Sequence, residues 1–382
     1  MSERVVIAGA GIAGLATAIG LHRCGYDVTV LEKRADTSAG AGISIWPNAL
    51  AALDQFGLGD SVRAAGGRVT AGAVRWRNGT WLRRPTGERF VHALGEPLVV
   101  IRRPLLRDIL TAALPTGTIE DGITAVGVTS SADGVQVRLS DYGVRDADAV
   151  VGADGTHSLI ARQLNGPLTN RYVGYTSWRG IARYGLDPQL AGQTLGPGIE
   201  TGHVPMGDGL TYWFATQRAR EGQRAAEGEL RYLQRMLSRW TEPMPSLLAA
   251  TAEADVLRDD LYDRQPARHW SQGPVVLVGD AAHPMRPHLG QGGCQAIEDA
   301  ALLAAFANQT PDLSTAFAHF TAYRRRRVSR LVRESATIGT LVNVRPAALS
   351  MAASYATALI PERALTSHMA SIAGRTAFTL PG

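Results

Sequence analysis

The sequence predicts a mixed α/β (α+β) fold on three observations. Residues 4–34, RVVIAGAGIAGLATAIGLHRCGYDVTVLEKR, read as a complete β-α-β unit. Residues 68–92 and 166–270 alternate in a turn-rich pattern that suits β-sheet. Residues 331–382 change to helical spacing, with Pro346 and Pro361 as breakers. A chain of 382 residues fits about two domains. The expected division is discontinuous: residues 1–67, 93–165 and 271–330 in one domain, 68–92 and 166–270 in a second, and 331–382 as a helical segment.

The opening unit carries the clearest chemistry. Residues 5–8 form a short apolar strand, Gly9, Gly11 and Gly14 make GxGxxG, and residues 15–23 have helical spacing. Gly25 stops that helix, residues 27–31 form the second strand, and Glu32 closes it. Gly9 serves the tight turn, Gly11 a close approach to pyrophosphate, and Gly14 the packing of helix on strand. Glu32 is placed to accept from a ribose hydroxyl. A dinucleotide site follows, which is Rossmann-like, and its motif alone does not choose between NAD and FAD.

What comes next departs from a plain dehydrogenase. Gly40 and Gly42 lie in a glycine-rich loop, and a helix begins near Pro47 or Asn48. Residues 68–92 read as hairpin material around Asn78-Gly79. Strand-then-helix returns in VVIRRPLLRDILTAAL, and residues 149–164, AVVGADGTHSLIARQL, repeat it. In that second segment Asp154 either caps the helix starting near Ser158 or contributes to a site.

Residues 275–300, VVLVGDAAHPMRPHLGQGGCQAIEDA, crowd His283, His288, Cys294, Asp280, Glu298 and Asp299 together. A zinc set of His283, His288 and Cys294 lacks a fourth ligand, so no metal is expected. The glycines and Pro287 instead suit a ligand lying on backbone, at a helix starting near Cys294.

Composition narrows the partners. The chain is 45% hydrophobic and 19% charged, with a net charge of +5 and Lys33 its one lysine. The basic run at residues 324–327 has no interleaved aromatics, so a solvated helix face is expected and nucleic acid is not. Cys24 and Cys294 make no disulfide framework. The N-terminus lacks a leader pattern, and no apolar run reaches the ~18 residues of a span. A soluble cytoplasmic protein is the expectation.

Three motifs, GAGIAG with Glu32, GADGTHS, and GDAAHPMRPHLGQGGCQAIEDA, together with Arg103 in IRRPLL, occur in order. Over residues 4–330 the chain resembles the group A flavoprotein aromatic monooxygenases, the family of para-hydroxybenzoate hydroxylase, salicylate hydroxylase and zeaxanthin epoxidase. The resemblance implies a Rossmann-like FAD-binding domain with an inserted β-sheet substrate domain. It implies FAD contacts from Gly9, Gly11, Ala13, Gly14, Glu32, Arg34, Gly42, Ile43, Arg103, Val126, Asp154, Asp280, Pro287, Gly290, Gly292 and Gly293. NADPH or NADH would be a transient reductant at the same cleft, since no second GxGxxG appears. One atom of O2 would then enter an aromatic or unsaturated small molecule through a flavin C4a-hydroperoxide, by hydroxylation or epoxidation.

Substrate contacts are expected from residues 166–270. Arg179, Tyr212, Phe214 and Trp178 are candidates there, with Trp46 and His203 behind them. For each aromatic residue core packing competes with ligand contact, and for Arg179 a strand-edge salt bridge competes with an anionic substrate. No residue is nominated as a catalytic base. Residues 347–360, AALSMAASYATALI, are expected as a buried helix, with a dimer contact as the alternative; the chain is a monomer or homodimer. Two other functions share these motifs: an FAD-dependent reductase or dehydrogenase, and a flavin- or ligand-binding protein without turnover.

Overall fold

A computed structural model describes residues 2–34, 42–85, 87–131, 134–342 and 347–381. Gly40 and Pro346 lie outside the described residues. The opening unit forms as its apolar spacing requires: strand Arg4–Ala8, helix Ile12–Arg23 and strand Asp27–Glu32. Arg4–Ala8 is central in a six-stranded sheet. It pairs in parallel with Asp27–Glu32 on one side and Ala149–Gly152 on the other. Val275–Leu277 and Ile119–Asp121 extend the parallel order outward, and Ser271–Gln272 adds an antiparallel edge. Near-continuous Val, Ile and Leu in these strands match a sheet covered on both faces. One cover is the helix Gly292–Gln309, crossing the helix Ile12–Arg23. Gly20 makes the crossing close, since a Cβ there would lie 2.9 Å from the Ala304 Cβ.

The second large sheet has seven strands, ordered Leu257–Arg264, Asn170–Arg183, Leu210–Arg218, Ile199–Gly207, Gly192–Gly196, Ala73–Trp76 and Trp81–Arg83. Its outer face buries Trp178, Trp213 and Ala215 under the helices Glu229–Met236 and Met244–Ala249. Its inner face approaches a small sheet made of Gly42–Ile45, Leu98–Arg102 and Gly67–Val69, where Met206 packs with Val69, Leu98 and Val100.

Three expectations are corrected. Residues 68–92 are only partly hairpin. Ala73–Trp76 and Trp81–Arg83 pair across Gly79 (φ +90°), but Gly87–Leu94 is a helix. Phe90 and Leu94, four residues apart, share its buried side, a spacing that suits a helix. The basic run at 324–327 is not simply a solvated face: Arg324 is 1% exposed, inside the helix Leu313–Val342. The helix Ala347–Thr357 is not buried either. Leu349, Met351 and Tyr355 are exposed, and its anchor is the Tyr355 ring 5.5 Å from Trp76. Its small side chains offer little apolar area with which to win a place in the core.

Candidate active site

Two helix N-termini meet at the carboxyl ends of the parallel strands. At the first, Gly9 has φ +103° and donates its N–H to the Leu31 carbonyl at 2.8 Å. A Cβ on Gly9 would lie 2.6 Å from the Ala153 oxygen, and one on Gly14 would run into the Gly9 carbonyl. Gly11 differs, because nothing stands within 4 Å of where its Cβ would be. Gly11 caps the helix Ile12–Arg23 with no side-chain hydrogen bond, so the first-turn N–H groups have no side-chain cap. Glu32 closes the turn by accepting from Ala10 N–H at 2.8 Å and Arg34 N–H at 3.0 Å.

The second N-terminus is that of the helix Gly292–Gln309, likewise without a side-chain cap. Gly290 precedes it in the left-handed region (φ +61°), where a Cβ would lie 3.0 Å from the Trp46 indole nitrogen. A Cβ on Gly293 would meet Ile43 at 2.7 Å and Ile12 at 4.0 Å, so the two N-termini are neighbours. Gly279 sits against Ala13, which places exposed Asp280 beside the first motif. Together these ends offer anion-binding N–H groups and two partial positive charges.

Asp154 fulfils the capping reading with one oxygen and leaves the other over. Its Oδ2 accepts from Leu159 N–H at 2.7 Å, while Oδ1 is buried without a partner among the described residues. Sequence reasoning missed Arg264, whose Nη1 donates to Thr156 O at 3.1 Å and Nη2 to Ala281 O at 2.7 Å. Arg264 thus ties the second motif to the third. Burial lowers its pKa, with Asp280 and Asp154 opposing. Arg107 was missed as well; its Nε reaches the Ala10 oxygen at 3.4 Å.

The carboxylates of the third motif are structural. Asp299 accepts from Gly279 N–H at 2.8 Å and Arg324 Nε at 2.7 Å, and lies 2.6 Å from His283 Nε2. Glu298 accepts from Arg324 Nη1 at 2.7 Å and Asn48 Nδ2 at 2.6 Å. Burial works to raise both carboxyl pKa values. His283 and Arg324 at Asp299, and Arg324 and Arg327 at Glu298, outweigh it and hold both below the ordinary range. Among the described residues no group of three or more His, Cys, Asp or Glu is arranged to hold a metal ion.

On the inner face of the seven-stranded sheet, alternation brings Tyr175, Arg179, Glu200, Tyr212 and Phe214 to one side. Tyr212 packs on Gly42, where a Cβ would lie 2.9 Å from its ring. Burial pushes the Tyr212 hydroxyl up to about 12, with Arg179 opposing. Arg179 is ion-paired to Asp259 on Leu257–Arg264, the edge strand of this sheet, as the strand-edge salt-bridge reading expects. The Tyr175 hydroxyl meets His288 Nε2 at 2.7 Å. His288 Nδ1 is 3.3 Å from Glu200 Oε2, an ion-pair distance without hydrogen-bond alignment. Glu200 Oε1 accepts from Gln193 Nε2 at 2.9 Å. This buried phenol–imidazole–carboxylate chain abuts Gly339, where a Cβ would lie 2.5 Å from His288 Nε2. Burial raises Tyr175 to about 12.

Trp46 lies where three apolar clusters meet, its indole nitrogen buried without a partner among the described residues. His203 is a correction. It pairs with Trp213 on the outer face and is therefore turned away from Tyr212 and Phe214. A period-two strand cannot present His203 and Glu200 on the same side.

The family model for an FAD binding domain matches residues 2–334. The chain belongs to the group A FAD-dependent aromatic monooxygenases. It is 38% identical over 340 residues to aurachin C monooxygenase/isomerase of Stigmatella aurantiaca, covering 88% of this chain and 89% of that one. It is 35% identical over 310 residues to 3-amino-4-hydroxybenzoate 2-monooxygenase of Streptomyces cremeus, covering 78% and 77%. Klebsiella pneumoniae HpxO complexed with FAD and uric acid superposes with a TM-score of 0.89 at 27% identity, covering 97% of this chain and 96% of that one.

The protein is an FAD-dependent monooxygenase, and its residues fit FAD. The open space at Gly11, the paired uncapped N-termini and the spare Asp154 oxygen suit a bound dinucleotide. Gly9, Gly11, Ala13, Gly14, Glu32, Gly42, Ile43, Asp154, Asp280, Gly290, Gly292 and Gly293 gather around these two N-termini. Arg34, Arg103, Val126 and Pro287 are exposed, and their side chains make no described contact with the gathered residues. Among the described residues no helix is long and apolar enough to cross a membrane.

Proposed function

We propose that the protein oxygenates an aromatic ring bearing an ionisable hydroxyl or ring N–H, with NAD(P)H as reductant. FAD, when bound, supplies the exchange of electrons with NAD(P)H and O2 and the transfer of one oxygen atom. Residues 1–67, 93–165 and 271–330 hold it, and 68–92 with 166–270 supply the substrate side. The chain acts in the cytoplasm as a monomer or homodimer.

The observation carrying this reading is the Tyr175–His288–Glu200 chain on the inner sheet face. A ring proton passes to the Tyr175 oxygen while the proton of Tyr175 passes to His288 Nε2. Glu200 stabilises the resulting imidazolium, closing the 3.3 Å gap to Nδ1. Deprotonation raises electron density on the ring that accepts oxygen. Tyr212 and Phe214 offer aromatic faces for the ring, and Trp46 an indole N–H for a carbonyl or ring nitrogen. The relatives support an aromatic substrate, since the uric acid bound by HpxO and the aminohydroxybenzoate of the Streptomyces cremeus enzyme are both conjugated rings with ionisable groups.

A panel of hydroxylated and N-heterocyclic aromatics tests the reading, with NAD(P)H oxidation followed at each. Stimulation by ionisable rings, and not by their O- or N-methyl counterparts, is the expected result. Equal stimulation by the methylated rings would remove the need for a relay.

A further inference from the structure

The outer face of the seven-stranded sheet carries a second polar cluster, away from the residues described above. Arg75 pairs with Thr194, and Thr194 with Thr201, so the three form one cross-strand row. His203 lies in the next row of that face, paired with Gly192. Arg75 is 5% exposed, Thr194 0% and His203 1%. Among the described residues, Arg75 Nε and Nη2, Thr194 Oγ1 and both ring nitrogens of His203 are buried without a hydrogen-bond partner.

The imbalance of charge is sharper than the imbalance of hydrogen bonds. Among the described residues Arg75 makes no ion pair; its one described polar contact is the Trp81 ring, 5.4 Å from the guanidinium carbon. A cation–π contact is weaker than the penalty for desolvating a guanidinium. Glu200 is close in sequence but alternates to the inner face, with its carboxylate held by Gln193 and near His288. Thr201 already donates to the Thr194 carbonyl at 3.1 Å. The His203 row continues through Gly192 and Ala73, which leave the stretch beside the Arg75 row nearly free of side chains.

Every unpartnered group here can donate: a guanidinium, a hydroxyl and an imidazole N–H. Burial, with Arg75 adding to it, pushes the His203 pKa down to about 3, so the ring is neutral and offers one N–H. The Leu190 backbone opposes that shift without meeting hydrogen-bond geometry. Donors around an uncompensated positive charge are what a small anion requires.

We propose that Arg75, Thr194 and His203 form a buried binding site for a small inorganic anion of halide size, separate from the FAD site. The anion neutralises Arg75 and joins the strands Ala73–Trp76, Gly192–Gly196 and Ile199–Gly207.

Crystals of the FAD-loaded enzyme grown in bromide in place of chloride test this directly. An anomalous peak within hydrogen-bond reach of Arg75 Nε is expected, together with a Tm that climbs with bromide at fixed ionic strength until the site saturates. In Arg75→Met both the peak and the bromide dependence of Tm should vanish. Should that variant fail to fold, Thr194→Val gives the same reading through a weakened peak. An ordered water without anomalous signal, or an unchanged bromide response in the variants, overturns the proposal.

Discussion

Asp299 Oδ2 lies 2.6 Å from His283 Nε2 and accepts the Gly279 N–H at 2.8 Å. One buried carboxylate therefore holds the turn that presents Asp280, while its other oxygen is paired with Arg324. Asp299→Asn leaves Arg324 and Glu298 with an uncompensated charge balance. Chemical denaturation should show a loss of about 3–5 kcal/mol, and fluorescence titration a weaker hold on FAD. A loss in stability with unchanged FAD affinity would separate the network from the turn.

Gly11 and Gly14 differ in what surrounds them, and alanine should expose the difference. Gly14→Ala forces a Cβ into the Gly9 carbonyl and should unfold or greatly destabilise the domain. Gly11→Ala meets nothing within 4 Å, so apoprotein stability should stay within about 0.5 kcal/mol. Its FAD affinity should nevertheless fall at least about tenfold, ~1.4 kcal/mol. Equal FAD affinity in wild type and Gly11→Ala would mean that the pyrophosphate does not approach there.

His203 gives stability a pH dependence of definite sign. Its folded pKa of about 3 lies below the ordinary 6.5, so the unfolded chain takes the proton first as pH falls. Its contribution is full above pH 6.5 and declines by about 1.4 kcal/mol per pH unit below it. In halide-free buffer, the unfolding free energy from urea melts should fall as pH drops from 6.5 to 4.5, and His203→Leu should reduce that pH dependence. Below this window Glu298 and Asp299, whose folded pKa values are depressed, lose their own contribution as they protonate.

Tyr175→Phe removes the first member of the proposed relay without removing the ring. At neutral pH kcat should fall by about 10²-fold with KM little changed. Activity should recover as pH rises toward the ionisation of the substrate itself. His288→Asn should behave alike. A loss constant at every pH would assign the chain a positioning role only.

Much of this is legible in the sequence. The GxGxxG unit, the helix beginning at Pro47 and the strand pattern of residues 170–218 follow from short-range periodicity and turn chemistry. The helix Gly87–Leu94 is harder to read, because it is only eight residues long and directly follows a segment whose Asn78-Gly79 turn signals a hairpin. Arg324 looked like one of four equivalent arginines; only the crossing of two helices decides which of them meets Glu298 and Asp299. The face of His203 is not legible, because strand register is set by its neighbours and not by its own segment. The relay joins residues 175, 200 and 288, separations over which no local pattern exists.

Turnover under ¹⁸O2, with NAD(P)H and an ionisable aromatic that stimulates its oxidation, tests the central claim most directly. The expected product carries one ¹⁸O atom per NAD(P)H consumed under coupled conditions, read by mass spectrometry. NAD(P)H consumption with an unlabelled or reduced product would contradict monooxygenation by this site.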